Sequence, residues 1–257
     1  MCNVVYLKGD IVLMQWFVSQ SAIGIYGAAY RVLYVVTQSG MMLMGLLLPL
    51  LAYAWSRQDN ELFRQRYQQA FDLLMLFGIP LTVGGILLAG PIIDLVAGPE
   101  FAESAPILMI LSLAMFGVYL GAIFGHMAVA INKQKEAIWI YLSTALLTFA
   151  GYLIFIPRYG IYGAAWMSVF SEIYTGLLLF IVIHRYTFVA LKLKTLMKIL
   201  FGTLVMAVAL WYFSALPLIL LILLGAGIFG ATLIAVGGVS MQTIKEIVSP
   251  NTSAKTP

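Results

Sequence analysis

Charged residues and cysteines are scarce in this sequence. Only 9% of its 257 residues are Asp, Glu, Lys or Arg, while 63% are hydrophobic. Because ordinary soluble domains carry roughly 25% charged residues, this composition excludes a water-soluble globular protein. The single cysteine, Cys2, excludes an internal disulfide framework. The two histidines are distant in sequence, and no cluster of ligand-type residues predicts a metal site.

Long apolar runs occupy most of the chain. Runs of about 20 residues, the length that a helix needs to cross the hydrocarbon core, recur from end to end. The sequence therefore predicts an all-α polytopic membrane protein with about eight transmembrane helices. We expect no secretory signal peptide, because no small-residue cleavage site follows the N-terminal lysine. The predicted spans are residues 4–20, 24–54, 69–97, 104–131, 136–156, 160–184, 195–214 and 217–241.

The basic residues fall on alternate loops. Lysines and arginines cluster after the second, fourth and sixth predicted spans, whereas the opposite loops contain one basic residue, Arg158. Since loops rich in Lys and Arg stay on the cytoplasmic side, this pattern places both termini in the cytoplasm. The net charge of +4 therefore reflects topology and does not indicate a nucleic-acid partner.

The segment between the second and third predicted spans, residues 57–71, is amphipathic. Leu62, Phe63, Tyr67 and Phe71 can share one side of a helix, and arginines occupy other positions. Two interpretations stay open. The segment is either an interfacial helix whose arginines meet lipid phosphates, or a solvated connection between two spanning helices.

Three ionisable residues lie well inside predicted spans. An unpaired charge there costs at least ~2.5–3.5 kcal/mol, so such a residue either pairs or lines a polar cavity. Asp10 and Arg31 have similar predicted depths and can form a structural ion pair; alternatively, Arg31 faces a cavity and attracts an anionic headgroup. Glu172 can act as a coupling or cation site in a cavity, or be protonated and hydrogen-bonded to a neighbouring helix.

Motifs for nucleotide binding and catalysis are absent or out of context. GAGIFG at residues 225–230 matches the dinucleotide fingerprint, but it lies inside an apolar run with no preceding strand. Its glycines favour close helix packing instead. No Walker-type loop and no nucleophile–base set is visible in the sequence. The sequence thus predicts neither an enzyme nor a bound cofactor.

The hexapeptide Gly-Ile-Tyr-Gly-Ala-Ala occurs twice, at residues 24–29 and 160–165. Each copy leads into a long apolar run, and the flanking sequences do not match. We interpret both copies as one helix-start pattern, with Gly in the turn, Tyr at the interface and small residues for helix packing. They do not indicate a duplicated unit.

Several stretches together carry a family likeness. GDIVLMQWFVSQSAIGIYGAAYRV, at residues 9–32, resembles the start of the C-terminal lobe of polysaccharide flippases in the MOP superfamily. LLAGPIIDLVAGPEFAESAPILMILSLA, INKQKEA and IPRYGIYGAAWMSVFSE resemble later segments of the same lobe, in consistent order. The resemblance covers roughly residues 5–185. The residues of the first stretch that fit the family pattern are Asp10, Gly24, Tyr26, Ala29 and Arg31.

This group includes O-antigen and exopolysaccharide translocases and is related to MATE exporters and lipid II flippases. Its members usually have two six-helix lobes, often followed by two extra helices. The resemblance implies a C-terminal-lobe-like bundle at residues 1–188, two additional helices at residues 189–244 and a cytoplasmic tail at residues 245–257. Because no first lobe is present in the sequence, we expect part of a truncated or split two-lobe transporter.

The resemblance implies a flippase that moves an undecaprenyl-pyrophosphate-linked oligosaccharide across the bacterial cytoplasmic (inner) membrane for polysaccharide or lipopolysaccharide biosynthesis. The implied partners are this lipid-linked oligosaccharide, membrane lipids, and a missing N-terminal lobe or other polysaccharide-assembly proteins. Arg31 is the expected contact for the anionic headgroup, Asp10 its support and Glu172 a further cavity residue. Two alternatives stay open: a MATE-type drug or cation antiporter, and a membrane glycosyltransferase or assembly subunit of the same pathway.

Overall fold

The computed structural model describes residues 12–237, and every regular element in this range is helical. Residues 12–14 are helical. After them follow α1 Gln20–Ser56, α2 Asn60–Leu87, α3 Ala89–Val96, a 3-10 turn at Pro99–Phe101, α4 Ser104–Ala130, α5 Gln134–Thr187, α6 Lys194–Tyr212 and α7 Leu218–Ala235. All of these α-helices except α3 are long and apolar enough to cross a membrane. The predicted all-α polytopic membrane fold is confirmed.

The longest helix, α5, contains one break. Its 54 residues exceed a single crossing, which takes about 20 residues. Gly160 adopts φ 57° and ψ −136°, outside the helical region. The helix therefore consists of two segments, α5a (residues 134–159) and α5b (residues 161–187), which correspond to the predicted fifth and sixth spans. The first predicted span, residues 4–20, lies mostly outside the described residues.

The amphipathic segment at residues 57–71 does not form a separate interfacial helix. Residues 57–59 make a short connection, and the Leu62 N–H donates to the Asp59 carboxylate over 2.9 Å at the start of α2. No Gly or Pro follows until Gly78, so nothing in the sequence ends the helix at the membrane surface. The segment continues directly into the spanning part of α2. Its aromatic side chains pack inside the protein: Phe63, Tyr67 and Phe71 are buried.

The core of the first unit is built around α4, which packs against α1, α2, α3 and α5. Its fully buried Tyr119 lies between two glycines of other helices. A Cβ at Gly40 of α1 would lie 3.1 Å from the ring, and a Cβ at Gly78 of α2 would lie 2.9 Å from it. The Tyr119 hydroxyl also hydrogen-bonds to Ser39 Oγ over 2.6 Å. The three helices therefore meet at this side chain.

Glycines also allow α4 and α5b to cross closely. A Cβ at Gly117 would lie 2.7 Å from the backbone carbonyl carbon of Glu172, and a Cβ at Gly176 would lie 2.8 Å from the Cβ of Leu120. Small residues let helix backbones approach in a membrane, where packing drives association. Both positions must therefore lack a side chain for this crossing to form.

The chain divides into two compact units, Met1–Lys192 and Leu193–Pro257. In the second unit, α6 and α7 pack against each other. The GAGIFG run lies inside α7, and a Cβ at its Gly225 would lie 3.2 Å from the Leu210 side chain. The predicted bounds of the lobe, the helix pair and the tail stay a prediction.

Candidate functional site

Helix α1 presents three different sides along its length, because side chains three and four residues apart share a side. One side is buried in the first unit and includes Tyr26, Ala29, Leu33, Thr37, Gly40 and Met44. A second side is exposed and apolar, as expected for contact with lipid, and includes Val35, Met42 and Leu46.

The third side, which we call the Arg31 strip, is open and more polar. Arg31 and Tyr34 are exposed on it, and Gln38 is half-buried. A Cβ at any of its three glycines would meet no other atom of residues 12–237 within 4 Å. Packing among these described residues therefore does not require glycine there, and they leave the space beside the helix backbone open. The strip consists of Gly24, Gly27, Arg31, Tyr34, Gln38, Met41 and Gly45.

Arg31 is the charged group of this strip. It forms no salt bridge with any residue between positions 12 and 237. Its guanidinium carries five N–H donors in a planar fork, which matches the geometry of phosphate oxygens. A charge inside a spanning helix needs polar surroundings, so Arg31 marks the strip as the side of α1 that faces a polar environment. Asp10, the predicted support of Arg31, lies outside the described residues, and its pairing stays a prediction.

Glu172 has different surroundings from Arg31. It is half-buried on α5b, where α4 crosses, and it has an electrostatic contact with Tyr141 of α5a. The hydroxyls of Thr144 and Thr175 join the same two segments by a hydrogen bond of 3.0 Å. Glu172 is thus placed among packed helices, whereas Arg31 is exposed. Among the described residues, no group of three or more His, Cys, Asp or Glu side chains is arranged to hold a metal ion.

A buried hydroxyl cluster, which we did not identify from the sequence, fixes the rotation of α1. The Tyr26 hydroxyl lies 3.2 Å from Ser168 Oγ, and the Tyr152 hydroxyl lies 3.4 Å from the same atom. Ser168 also donates to the Ala164 carbonyl over 3.1 Å. The cluster joins α1 to both halves of α5, and this rotation leaves Arg31 and Tyr34 of the strip exposed. One signal was available: Tyr152 and Ser168 are each eight residues from Gly160 and therefore at equal depth.

Comparison with protein families and curated proteins identifies relatives. The family model described as lipid II flippase MurJ matches residues 14–236 of this chain. The chain is 23% identical, over 171 residues, to the teichuronic acid biosynthesis protein TuaB of Bacillus subtilis (strain 168); this covers 66% of the chain and 32% of that protein. It is 24% identical, over 162 residues, to the probable low-salt glycan biosynthesis flippase Agl15 of Haloferax volcanii, covering 63% and 34%.

A solved structure described as lipid II flippase MurJ, inward closed conformation, shares the fold. The TM-score is 0.74 at 19% identity, over 89% of this chain and 50% of that one. This chain thus spans about a third of the length of its two curated relatives and half of the solved flippase. The resemblance to flippases seen in the sequence is confirmed. Because the matching family model extends over most of this multi-pass membrane chain, the chain belongs to the lipid II flippase MurJ family.

Proposed function

We propose that this chain is part of a flippase that moves a lipid-linked saccharide across the bacterial cytoplasmic membrane, and that it is a transporter and not an enzyme. Membership of a flippase family supports this function, as do two relatives named for saccharide or glycan biosynthesis. The observation that carries the proposal is the Arg31 strip, where an exposed arginine on an apolar helix lies beside open space.

In this proposal Arg31 binds the phosphate or pyrophosphate that joins the saccharide to its lipid. A guanidinium can donate two parallel hydrogen bonds to phosphate oxygens. Tyr34 and Gln38, on the next turns of the strip, offer hydrogen-bonding groups to the saccharide. Asp10 supports Arg31, and Glu172, at the α4–α5b crossing, lines the polar cavity that the strip forms together with a facing lobe. An exposed arginine favours this anionic substrate over the cation of a MATE-type antiporter.

Transport then requires the cavity beside the strip to open alternately to the two membrane sides. In secondary transporters this occurs largely by rocking of one helix bundle against another around a central site. The lipid tail stays in the bilayer while the saccharide and its phosphate cross in the polar cavity. Since this chain spans half of the solved flippase, we propose that the facing wall is a first lobe or another polysaccharide-assembly protein.

Replacing Arg31 tests this proposal. The chain is coexpressed with a matching six-helix first lobe in a flippase-deficient cell, and surface glycan is measured together with membrane abundance. Hydrogen bonds to charged groups are worth about 1.5–3 kcal/mol, so Arg31→Ala should lower export roughly tenfold to hundredfold. Arg31→Lys should keep part of the activity, because lysine retains the charge but not the fork.

Arg57→Ala is the matched control. Arg57 is also exposed, but it lies in the connection after α1 and stacks over the Tyr53 ring at 5.0 Å. Its replacement should leave export unchanged. Full export by Arg31→Ala at normal abundance would remove Arg31 from the mechanism. Absence of export by the unsubstituted chain with its first lobe would contradict the flippase function itself.

A further inference from the structure

A cavity of about 230 Å³ lies where the end of α1, the start of α2 and the end of α5b meet. These are ends of helices long and apolar enough to span a membrane, on the side where the basic connections predict the cytoplasmic surface. The cavity is smaller than the roughly 300–1,000 Å³ of pockets that hold drug-sized ligands, and its volume suits a small polar group. Its lining includes Asn60, Glu61, Arg64 and the rings of Trp55, Phe63 and Phe188.

The cavity carries two opposite charges that do not pair. Glu61 and Arg64 are three residues apart on α2, a spacing at which ion pairs commonly form. Within residues 12–237, neither side chain forms a salt bridge, with the other or with a third residue. Both side chains are exposed and both line the cavity. The cavity lining thus includes one carboxylate and one guanidinium, whose charges sum to zero.

Aromatic rings give the same cavity an apolar border. Trp55 and Phe63 are in contact, with ring centroids 5.0 Å apart, and Phe63 is buried. Phe188 is 80% exposed and has a φ of 51°, a left-handed conformation that is uncommon for a bulky residue. An aromatic ring presented in this way at a helix end is suited to the membrane interface.

The connection that carries Phe188 is held against α2. The Gln68 side chain donates to the Lys192 carbonyl over 3.1 Å, and the Lys192 N–H donates back to Gln68 Oε1 over 2.8 Å. This reciprocal pair fixes the segment after α5b at its far end, while the Phe188 N–H donates to the His184 carbonyl at its near end. The aromatic wall of the cavity is therefore part of the folded first unit.

We propose that this cavity binds the zwitterionic headgroup of an aminophospholipid such as phosphatidylethanolamine. Arg64 binds the phosphate, and Glu61 accepts hydrogen bonds from the primary ammonium, which has three N–H donors. The aromatic rings contact the glycerol and the first part of the acyl chains. Phosphatidylcholine lacks ammonium N–H groups, and phosphatidylglycerol has no positive charge for Glu61, so both should bind more weakly.

Native mass spectrometry of the purified full chain tests this selectivity, with dioleoyl phosphatidylethanolamine, phosphatidylcholine or phosphatidylglycerol added at equal concentration. Because an exposed ion pair contributes little, we expect retention of phosphatidylethanolamine to exceed that of the other two lipids by up to about fivefold. Glu61→Gln should abolish its preference over phosphatidylglycerol, and Arg64→Gln should weaken retention of all three lipids.

Two exposed residues outside the cavity supply matched controls. Arg57→Gln removes a guanidinium and Glu103→Gln removes a carboxylate, and neither should change the selectivity, because neither residue lines the cavity. Circular dichroism of each variant confirms that its helices are intact. Equal retention of the three lipids, a preference for phosphatidylglycerol, or a selectivity that survives Glu61→Gln would overturn the proposal, as would an equal loss in Arg57→Gln and Arg64→Gln.

Discussion

At the scale of single residues, a charged residue inside an apolar span can be recognised from the sequence, whereas an important but common polar residue cannot. Arg31 stands out in the sequence because a charge inside an apolar span is costly. Ser168 does not stand out, because serine is an ordinary residue of membrane helices. Its importance comes from Tyr26 and Tyr152, which are 142 and 16 residues away along the chain. A sequence read one span at a time cannot show that these three hydroxyls meet.

The hydroxyl cluster predicts a measurable coupling between α1 and α5. Tyr26→Phe removes the hydroxyl but keeps the ring, and should lower the free energy of unfolding by about 0.5–1.5 kcal/mol, the net worth of one hydrogen bond. Thermal unfolding in detergent of Tyr26→Phe, Ser168→Ala and the double variant measures their interaction energy. Tyr34→Phe, at an exposed position, should have little effect. Strictly additive losses for Tyr26 and Ser168 would contradict the coupling.

At the scale of elements, the two copies of Gly-Ile-Tyr-Gly-Ala-Ala have different structures. The first copy lies inside α1, which begins at Gln20 because Ser19 caps it: the Ala22 N–H donates to Ser19 Oγ over 3.2 Å. The second copy begins at Gly160, which is itself the break in α5. The sequence predicted both membrane crossings, but the identical hexapeptides suggested that both helices begin at the glycine. In the first copy the helix begins earlier, because Ser19, five residues upstream of Gly24, caps it. In the second copy the helix begins after Gly160, because the backbone of that residue is not helical.

This difference predicts opposite effects for one substitution in the two copies. Gly160→Ala should lower the free energy of unfolding by about 1–3 kcal/mol, since its φ of 57° with ψ of −136° strains any residue with a side chain. A clash is not the cause, because the nearest atom to the added Cβ would be 3.8 Å away. Gly24→Ala, within a helix and beside open space, should raise stability by up to about 1 kcal/mol.

Thermal unfolding of the two alanine variants, purified in the same detergent, separates these effects. The comparison is well matched because the six local residues are identical and only the backbone conformation differs. Equal shifts in both variants would show that Gly160 is not under the conformational constraint described above.

At the scale of the whole molecule, composition was sufficient to predict the membrane class, and the distribution of charge predicts an orientation. Lys and Arg residues cluster in and beside the connections after α1, α4 and α5, while the opposite helix ends and connections carry Arg158 alone. Membrane packing was less predictable. The helix at the centre of the first unit is determined by contacts between distant segments. The sequence of α4 does not reveal this position, because α4 is no more apolar than α7, which belongs to the second unit.

The charge distribution predicts which ends of the helices face the cytoplasm. In a Cys2→Ser background, Ala102→Cys on the connection before α4 should react with a membrane-impermeant maleimide in intact cells. Ser56→Cys, at the end of α1, should react only after the membrane is permeabilised. Both positions are exposed, so accessibility within the protein is matched. The reverse labelling pattern would contradict an orientation set by the basic loops.

The central position of α4 has a consequence for the order of synthesis. α1 and α2 are made before α4, and both carry a glycine, Gly40 or Gly78, that packs against the Tyr119 ring of that later helix. Until α4 enters the bilayer, the two earlier helices lack the side chain around which they meet. The nascent chain therefore inserts α1 and α2 before they can acquire their final packing, and assembly of the first unit is completed only as α4 and α5 are inserted.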